Sequence, residues 1–290
     1  MVFQGSCVAL ITPFTQTGID FDALEKLIEF QIENGTDAIL IAGTTGEPAT
    51  MTREEKHSVM EFSVRRVAGR VPVLLGTGGN NTAAVIEESK FAEGLGASAL
   101  LVVTPYYNKC TQSGLVAHYH AVCDSVHLPV IAYNVPGRTG VNIAPATYKK
   151  LIEHPNLGGI KEASGNIGQI IETASFATER APLYCGDDGL SYVMLGLGAK
   201  GVISVASNIV PKFMSDLCKN FFAGNTAQAR EMSFRLQNLA KALFVEVNPI
   251  PVKTAASLLG LCGDTLRLPL CAMEPQNLET LKKAMREFGL

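Results

Sequence analysis

The sequence carries almost no net charge: 24 basic against 27 acidic residues leave −3 over 290 residues. No global field therefore draws in nucleic acid or an anionic membrane surface. Paired cysteines are missing as well. The seven cysteines, at 7, 110, 123, 185, 218, 262 and 271, form no C-x-x-C pair, which excludes a zinc knuckle and a redox dithiol. Buried free thiols in a reducing compartment are expected instead. Apolar runs stay short; 99–103 is among the longest, far below the ~20 residues of a membrane span. The opening residues, Met-Val-Phe-Gln-Gly-Ser, have no basic segment leading into an apolar one, so no secretory signal is read there. A cytoplasmic protein with no membrane and no nucleic-acid partner is expected. P-loop, zinc signature and histidine-paired nucleophile are all absent, as are low-complexity segments and Ser/Pro linkers.

What the chain does have is apolar mass. It is 47% hydrophobic and 18% charged, enough for a large interior and incompatible with disorder. Eight short runs rich in Val, Ile and Leu recur at 7–11, 38–42, 71–75, 99–103, 130–133, 158–161, 183–185 and 201–205. Their usual spacing of ~25–30 residues suits a βαβ unit. Between them, apolar residues recur at helical spacing, as in Phe21, Leu24, Leu27, Ile28 and Ile32. Asp20 and Asn80 stand where N-caps belong, and Thr52 with Glu55 reads as a capping box. The runs are apolar on both faces, as parallel strands covered by helices must be. Eight such units predict an α/β fold, a closed (β/α)8 TIM barrel over 1–224 that carries the active site. The remaining residues, 225–290, predict an appended C-terminal helical region, with helices at 225–247, 251–261 and 277–288.

In a barrel the chemistry lies where strands end. The second run ends in Gly43-Thr44-Thr45-Gly46-Glu47, whose free N–H and O–H groups suit a small anion such as a carboxylate. The same residues also suit an ordinary glycine turn. The fifth run ends at Tyr133, with Arg138 shortly after. A strand-end tyrosine can pass protons and an arginine can grip a carboxylate with two hydrogen bonds; a core tyrosine and a solvated arginine would leave the same trace. The sixth run ends in Lys161-Glu162-Ala163-Ser164-Gly165. A lysine at the end of an apolar strand points its amine into a barrel mouth, where burial favours the neutral, nucleophilic form over a solvated ammonium.

Four other patterns are weaker. Gly196-x-Gly198-x-x-Gly201 has the dinucleotide spacing, but a helix precedes it and a strand follows, the reverse of that motif, so a helix-end turn is expected. His118 and His120, two apart on a predicted helix, lie about 200° apart around it and cannot chelate together. Asp187-Asp188 suits capping better than metal binding, for want of a third ligand. Lys253 follows two prolines and is expected on a helix outside the barrel mouth.

Together these segments resemble the pyruvate-dependent class I aldolase superfamily and, within it, the dihydrodipicolinate synthase family. The resemblance spans the whole chain. It rests on Leu10-Ile11-Thr12-Pro13-Phe14, the 43–47 turn, Thr104-Pro105-Tyr106-Tyr107-Asn108-Lys109, residues 133–140, residues 161–165, and Asn248-Pro249-Ile250-Pro251-Val252-Lys253. It implies a lyase of lysine and diaminopimelate biosynthesis that condenses pyruvate with L-aspartate 4-semialdehyde and needs no metal or organic cofactor. By resemblance, Lys161 is the Schiff-base lysine. Thr44, Tyr133 and Tyr107 are a proton relay, with Tyr107 supplied by a neighbouring subunit of a dimer or a homotetramer built as a dimer of dimers. Thr45 holds the pyruvate carboxylate, Arg138 that of the semialdehyde, and Gly186 and Ile203 line the pocket through their backbones. N-acetylneuraminate lyases and other 2-keto-acid aldolases share the lysine and tyrosine but usually lack an arginine matching Arg138. A barrel that has lost catalysis would not keep every reacting position.

One departure stands out. Regulated members bind lysine near positions matching 49, 53, 56, 80, 84 and 106. Ala49, Asn80 and Tyr106 match, but Arg53 and Lys56 replace histidines, Ala84 replaces a glutamate and Pro48 a serine. Weak or absent inhibition by lysine is expected.

Overall fold

The computed structural model describes residues 1–290. Eight parallel strands follow one another in chain order around a closed barrel, as the alternating runs predict. They are β1 (Gly5–Ala9), β2 (Ala38–Ile41), β3 (Val73–Gly76), β4 (Ala99–Val103), β5 (Val130–Asn134), β6 (Leu157–Glu162), β7 (Leu183–Cys185) and β8 (Gly201–Ser204). Apart from Val103, every strand residue is buried. That is the physical content of runs apolar on both faces. By packing, the chain divides into two compact units, Met1–Gln4 with Pro72–Ile203 and Gly5–Val71 with Ser204–Leu290.

The first unit holds β3 to β7 and most of β8. Its helices include Thr82–Gly94, Gln112–Ser125, Pro145–Leu151 and Ile167–Ala174. The cap of the first of these is Asn81, whose side chain accepts from the N–H groups of Ala83 and Ala84, and not Asn80 as expected. Asn80 is committed elsewhere: its Nδ2 donates to the Tyr106 carbonyl at 3.2 Å, and its own carbonyl accepts from Asn108 Nδ2 at 2.9 Å. The glycine-spaced match behaves as a helix end. Helix Ser191–Gly196 stops there, Gly198 takes φ +95°, and β8 begins at Gly201. His118 is buried with its Nδ1 2.9 Å from Thr82 Oγ1, while His120 packs against the His154 ring at 5.3 Å. Asp187 accepts from the Gly189 N–H at 2.9 Å, a capping bond at the start of a short turn.

In the second unit β1 and β2 pair in register, Cys7 with Ala38 through Ala9 with Leu40. Helix Phe21–Glu33 is capped by Asp20, and helix Arg53–Val67 opens with the reciprocal Thr52–Glu55 capping box, satisfying N–H groups that would otherwise be orphaned. Asn208 is buried and stitches the chain to β1, donating to the Ala9 carbonyl at 2.8 Å and accepting from the Ile11 N–H at 3.0 Å. Helices Pro211–Phe222, Thr226–Ala242, Ile250–Leu258 and Pro275–Phe288 complete this unit, the last three close to the predicted helical spans. Arg235 lies over the Phe288 and Phe213 rings and donates to the Phe288 carbonyl at 2.7 Å. No helix is long and apolar enough to cross a membrane.

Candidate active site

Lys161 occupies the end of β6, as its place in the sequence predicts. Only 5% of its surface is exposed. In the sheet it sits beside Tyr133 of β5 on one side and Tyr184 of β7 on the other. Its Nζ lies 4.2 Å from the centre of the Tyr133 ring, so amine and phenol share one small space. Gly186, just past β7, shapes that space. A Cβ built there would stand 3.0 Å from Lys161 Cε, 3.1 Å from its Cγ and 2.9 Å from Ala163 Cβ. The lysine stem thus runs through the volume that any side chain at 186 would fill. Ile203 is buried on β8.

The next residue along β6 faces the other way, as strand alternation demands. Glu162 is fully buried and its partners are N–H donors, not a cation. Ser164 N–H donates to Oε1 at 2.6 Å; Asn134 Nδ2 and Gln169 Nε2 donate to Oε2 at 3.0 and 3.2 Å. Asn142 bridges Asn134 and Gln169 through further amide bonds of 2.7–3.1 Å. Asn134 also accepts from the Ile143 N–H at 2.9 Å. The loop after β5 is therefore tied down on the far side of the strands that carry Tyr133 and Lys161.

That loop carries Arg138. It forms a four-residue helix, Pro136–Thr139, closed by Gly140 at φ +69°. Its hub is the buried Thr139 hydroxyl, which donates to the Val141 carbonyl at 3.0 Å and accepts from Thr104 Oγ1 at 2.9 Å and from the Val141 N–H at 3.2 Å. Arg138 itself is exposed at the tip. The Thr104 bond joins this loop to the one after β4, where Tyr107 stands 92% exposed with φ +68°. A tyrosine in the left-handed region, almost wholly in solvent, is unusual enough to need a reason.

In the second unit the 43–47 segment is a tight turn and not a loose loop. Thr44–Gly46 forms one turn of 3-10 helix, with Gly46 N–H donating to the Gly43 carbonyl at 2.8 Å. Thr44 and Thr45 sit side by side, and Thr45 is buried. Thr45 Oγ1 accepts from Asn248 Nδ2 at 2.9 Å. Glu47, which closes the turn, is ion-paired with Lys253, and both side chains are fully buried. Burial pushes the Glu47 carboxyl up and the Lys253 ammonium down, each toward its neutral form. Lys253 is thus on a helix, as predicted, but not remote from the strand ends: it is spent on the turn after β2. Asn248, Glu47 and Glu162 have no individual role in the sequence reading. Only Glu162 could have been found there, as the neighbour of Lys161 on a strand buried on both faces.

A closed parallel (β/α)8 barrel with a lysine buried at a strand end against a tyrosine ring has the arrangement that an amine nucleophile toward a carbonyl would need. The comparisons with known proteins narrow this. The Dihydrodipicolinate synthetase family profile matches residues 2–288, and the chain belongs to that family. It is 48% identical over 289 residues to a 4-hydroxy-tetrahydrodipicolinate synthase of Clostridium perfringens, covering 100% of this chain and 99% of the relative. Among solved structures, dihydrodipicolinate synthase from Aquifex aeolicus superposes with a TM-score of 0.97 at 46% identity, covering 99% of each chain. The chloride-inhibited Acinetobacter baumannii enzyme, complexed with pyruvate, gives 0.96 at 44% identity, again covering 99% of each. The family resemblance seen in the sequence is borne out.

The close approach of Gly186 to Lys161 has a measurable consequence. Gly186→Ala should cost about 1–3 kcal/mol by overpacking and should change the rate at which Lys161 is modified by an amine reagent, followed by peptide mass mapping. Gly196→Ala is the control: a Cβ there meets nothing within 4 Å, and unchanged stability and labelling are expected. Equal behaviour of the two variants would mean that Gly186 does not shape the lysine's surroundings.

Proposed function

We propose that this chain condenses pyruvate with L-aspartate 4-semialdehyde to 4-hydroxy-tetrahydrodipicolinate, in lysine and diaminopimelate biosynthesis, through an imine on Lys161. The observation that carries the reading is the Lys161 amine, buried at the end of β6 against the Tyr133 ring, in a chain matched to the family over its whole length. The cytoplasm is the proposed location.

The chemistry follows from the amine. Lys161 attacks the pyruvate ketone carbon and water leaves, giving a protonated imine. That cation is an electron sink, so a methyl proton can depart and leave an enamine, whose carbon attacks the semialdehyde aldehyde to form the new C–C bond. The semialdehyde's amino group then adds to the imine carbon and expels the Lys161 amine, which closes the ring and frees the enzyme. No metal or organic cofactor enters this scheme. Tyr133, whose ring centre lies 4.2 Å from the lysine Nζ, is assigned as the proton carrier, and the family pattern makes Thr44 and Tyr107 its relay partners. Thr45 is assigned to the pyruvate carboxylate, Arg138 to the semialdehyde carboxylate, and Gly186 and Ile203 to backbone contacts.

Tyr107 is the reason to propose an assembly. A side chain 92% exposed on a left-handed residue reaches nothing in its own chain that would justify the conformation; in a dimer, or a dimer of dimers, it completes a neighbour's site.

Borohydride reduction in the presence of pyruvate should add one pyruvate-derived mass to the peptide carrying Lys161. Label on Lys253, or none, would defeat the imine assignment. In the same assay Arg138→Ala should still trap pyruvate but lose about 2–4 kcal/mol of transition-state binding for the semialdehyde, the worth of a charge-assisted pair in a dry site; unchanged steady-state kinetics would remove Arg138 from its role. Mixing Tyr107→Phe with Lys161→Ala protein should restore activity that neither has alone, whereas an active monomer in the ultracentrifuge would contradict the shared site. Lysine should inhibit poorly. Losing the acid at position 84 forfeits one charge-assisted contact, ~1.5–3 kcal/mol, and Arg53 and Lys56 add like-charge repulsion. Every 1.4 kcal/mol is tenfold, so binding at least ~100-fold weaker than in regulated members is expected, and half-inhibition at submillimolar lysine would refute this.

A further inference from the structure

Two features of the 43–47 turn need an explanation that the turn itself does not supply. Its flanks are non-glycine residues held in the left-handed region, Ala42 at φ +54° and Glu47 at φ +55°, a conformation that disfavours any residue with a Cβ. And the only hydrogen bond made by the Thr45 side chain is one it accepts. The Glu47 flank and the Thr45 hydroxyl both lead to the same short segment of the tail, Asn248 to Lys253.

Lys253 holds the C-terminal flank. It is fully buried in helix Ile250–Leu258, ion-paired to Glu47, with its Nζ donating to the Thr265 carbonyl at 3.1 Å and lying 4.2 Å from the Phe14 ring centre. Thr50 Oγ1 donates to the Glu47 carbonyl at 3.1 Å, so backbone and side chain of Glu47 are both engaged. There is no slack at Gly46 either, where a Cβ would stand 3.1 Å from the Leu10 carbonyl and 3.2 Å from Thr12 Oγ1. Asn248 sets the polarity of Thr45. A hydroxyl has one proton and two lone pairs. Because Asn248 Nδ2 donates to Thr45 Oγ1, one lone pair is taken and the Thr45 proton is directed away, free to be given to an anion.

We propose that Asn248 and Lys253 are positioning residues of the pyruvate carboxylate site: Asn248 turns the Thr45 hydroxyl into a dedicated donor, and Lys253, through Glu47, holds the turn in its left-handed-flanked form. This rests on the reading that Thr45 binds the pyruvate carboxylate. It adds that the appended helical region sets an active-site hydrogen bond without touching the substrate.

The test is the pyruvate dependence of imine trapping by borohydride, alongside kcat, both KM values and the unfolding midpoint, in full-length protein. Thr45→Val should raise half-saturating pyruvate at least ~10-fold. Asn248→Ala should raise it ~5–10-fold, with little change in the semialdehyde KM. Asn248→Asp, equal in shape but able only to accept, should do at least as much, because it captures the Thr45 proton. Neither change should matter further in the Thr45→Val background. Lys253→Met strands a buried carboxylate and should lose both stability and pyruvate affinity; adding Glu47→Gln should restore stability while half-saturation stays raised. If Thr45→Val leaves pyruvate saturation unchanged, the carboxylate assignment of Thr45 is wrong and this proposal falls with it. If Thr45→Val weakens pyruvate but the Asn248 variants change only kcat or stability, or act equally in both backgrounds, Asn248 is merely structural and the proposal alone is overturned. Should Asn248→Ala fail to fold, the isosteric Asn248→Asp decides the same point.

Discussion

Tyr133 and Lys161 can meet only because β5 and β6 pair in one particular register. The pairing begins with Val130 opposite Leu157, then skips to Ile131 opposite Gly159, and runs on to Tyr133 opposite Lys161 and Asn134 opposite Glu162. The irregularity falls at Gly158-Gly159, where nothing but glycine fits. A Cβ at 158 would lie 2.5 Å from Pro129 Cβ, and Gly159 has φ +143° with the Pro182 carbonyl 2.7 Å from where its Cβ would be. Side chains alternate along a strand, so a slip of one residue would exchange the faces. Lys161 would then point among the amides and Glu162 toward the tyrosine. The paired glycines are what keep the lysine and the carboxylate on opposite sides.

Much of this could be read from the residues alone. Strand-end positions of Tyr133 and Lys161 follow from apolar runs that stop at polar residues, and the cap at Asp20 and the box at Thr52 follow from local spacing. Sequence-local features are legible because their physics is local. The misreadings have the opposite character. Asn80 lost the cap to Asn81 because a loop 26 residues away needed its side chain and carbonyl. Lys253 was placed on a helix but not upon Glu47, which lies 206 residues earlier in the chain. No periodicity reports a pairing of that range.

Two of the buried acids, Glu47 and Glu162, are accommodated by different means. Glu47 faces a lysine, and each partner is pushed by burial toward its neutral state; removing one would leave the other stranded. Glu162 has three N–H donors and a chain of side-chain amides. The first arrangement ties distant segments of one unit together. The second fixes the orientation of every amide in the chain, since a carboxylate accepts only, and so stiffens the ground on which Tyr133, Lys161 and the Arg138 loop stand.

Ala42 and Glu47 are held in left-handed conformations by the fold itself, Glu47 through its buried ion pair with Lys253. The conformational cost of the turn is therefore met when the chain folds. On the proposed role of Thr45, a carboxylate would meet a turn whose shape is already set. Capture at such a turn would cost no fresh ordering of the backbone, so its rate would follow how often the anion reaches it.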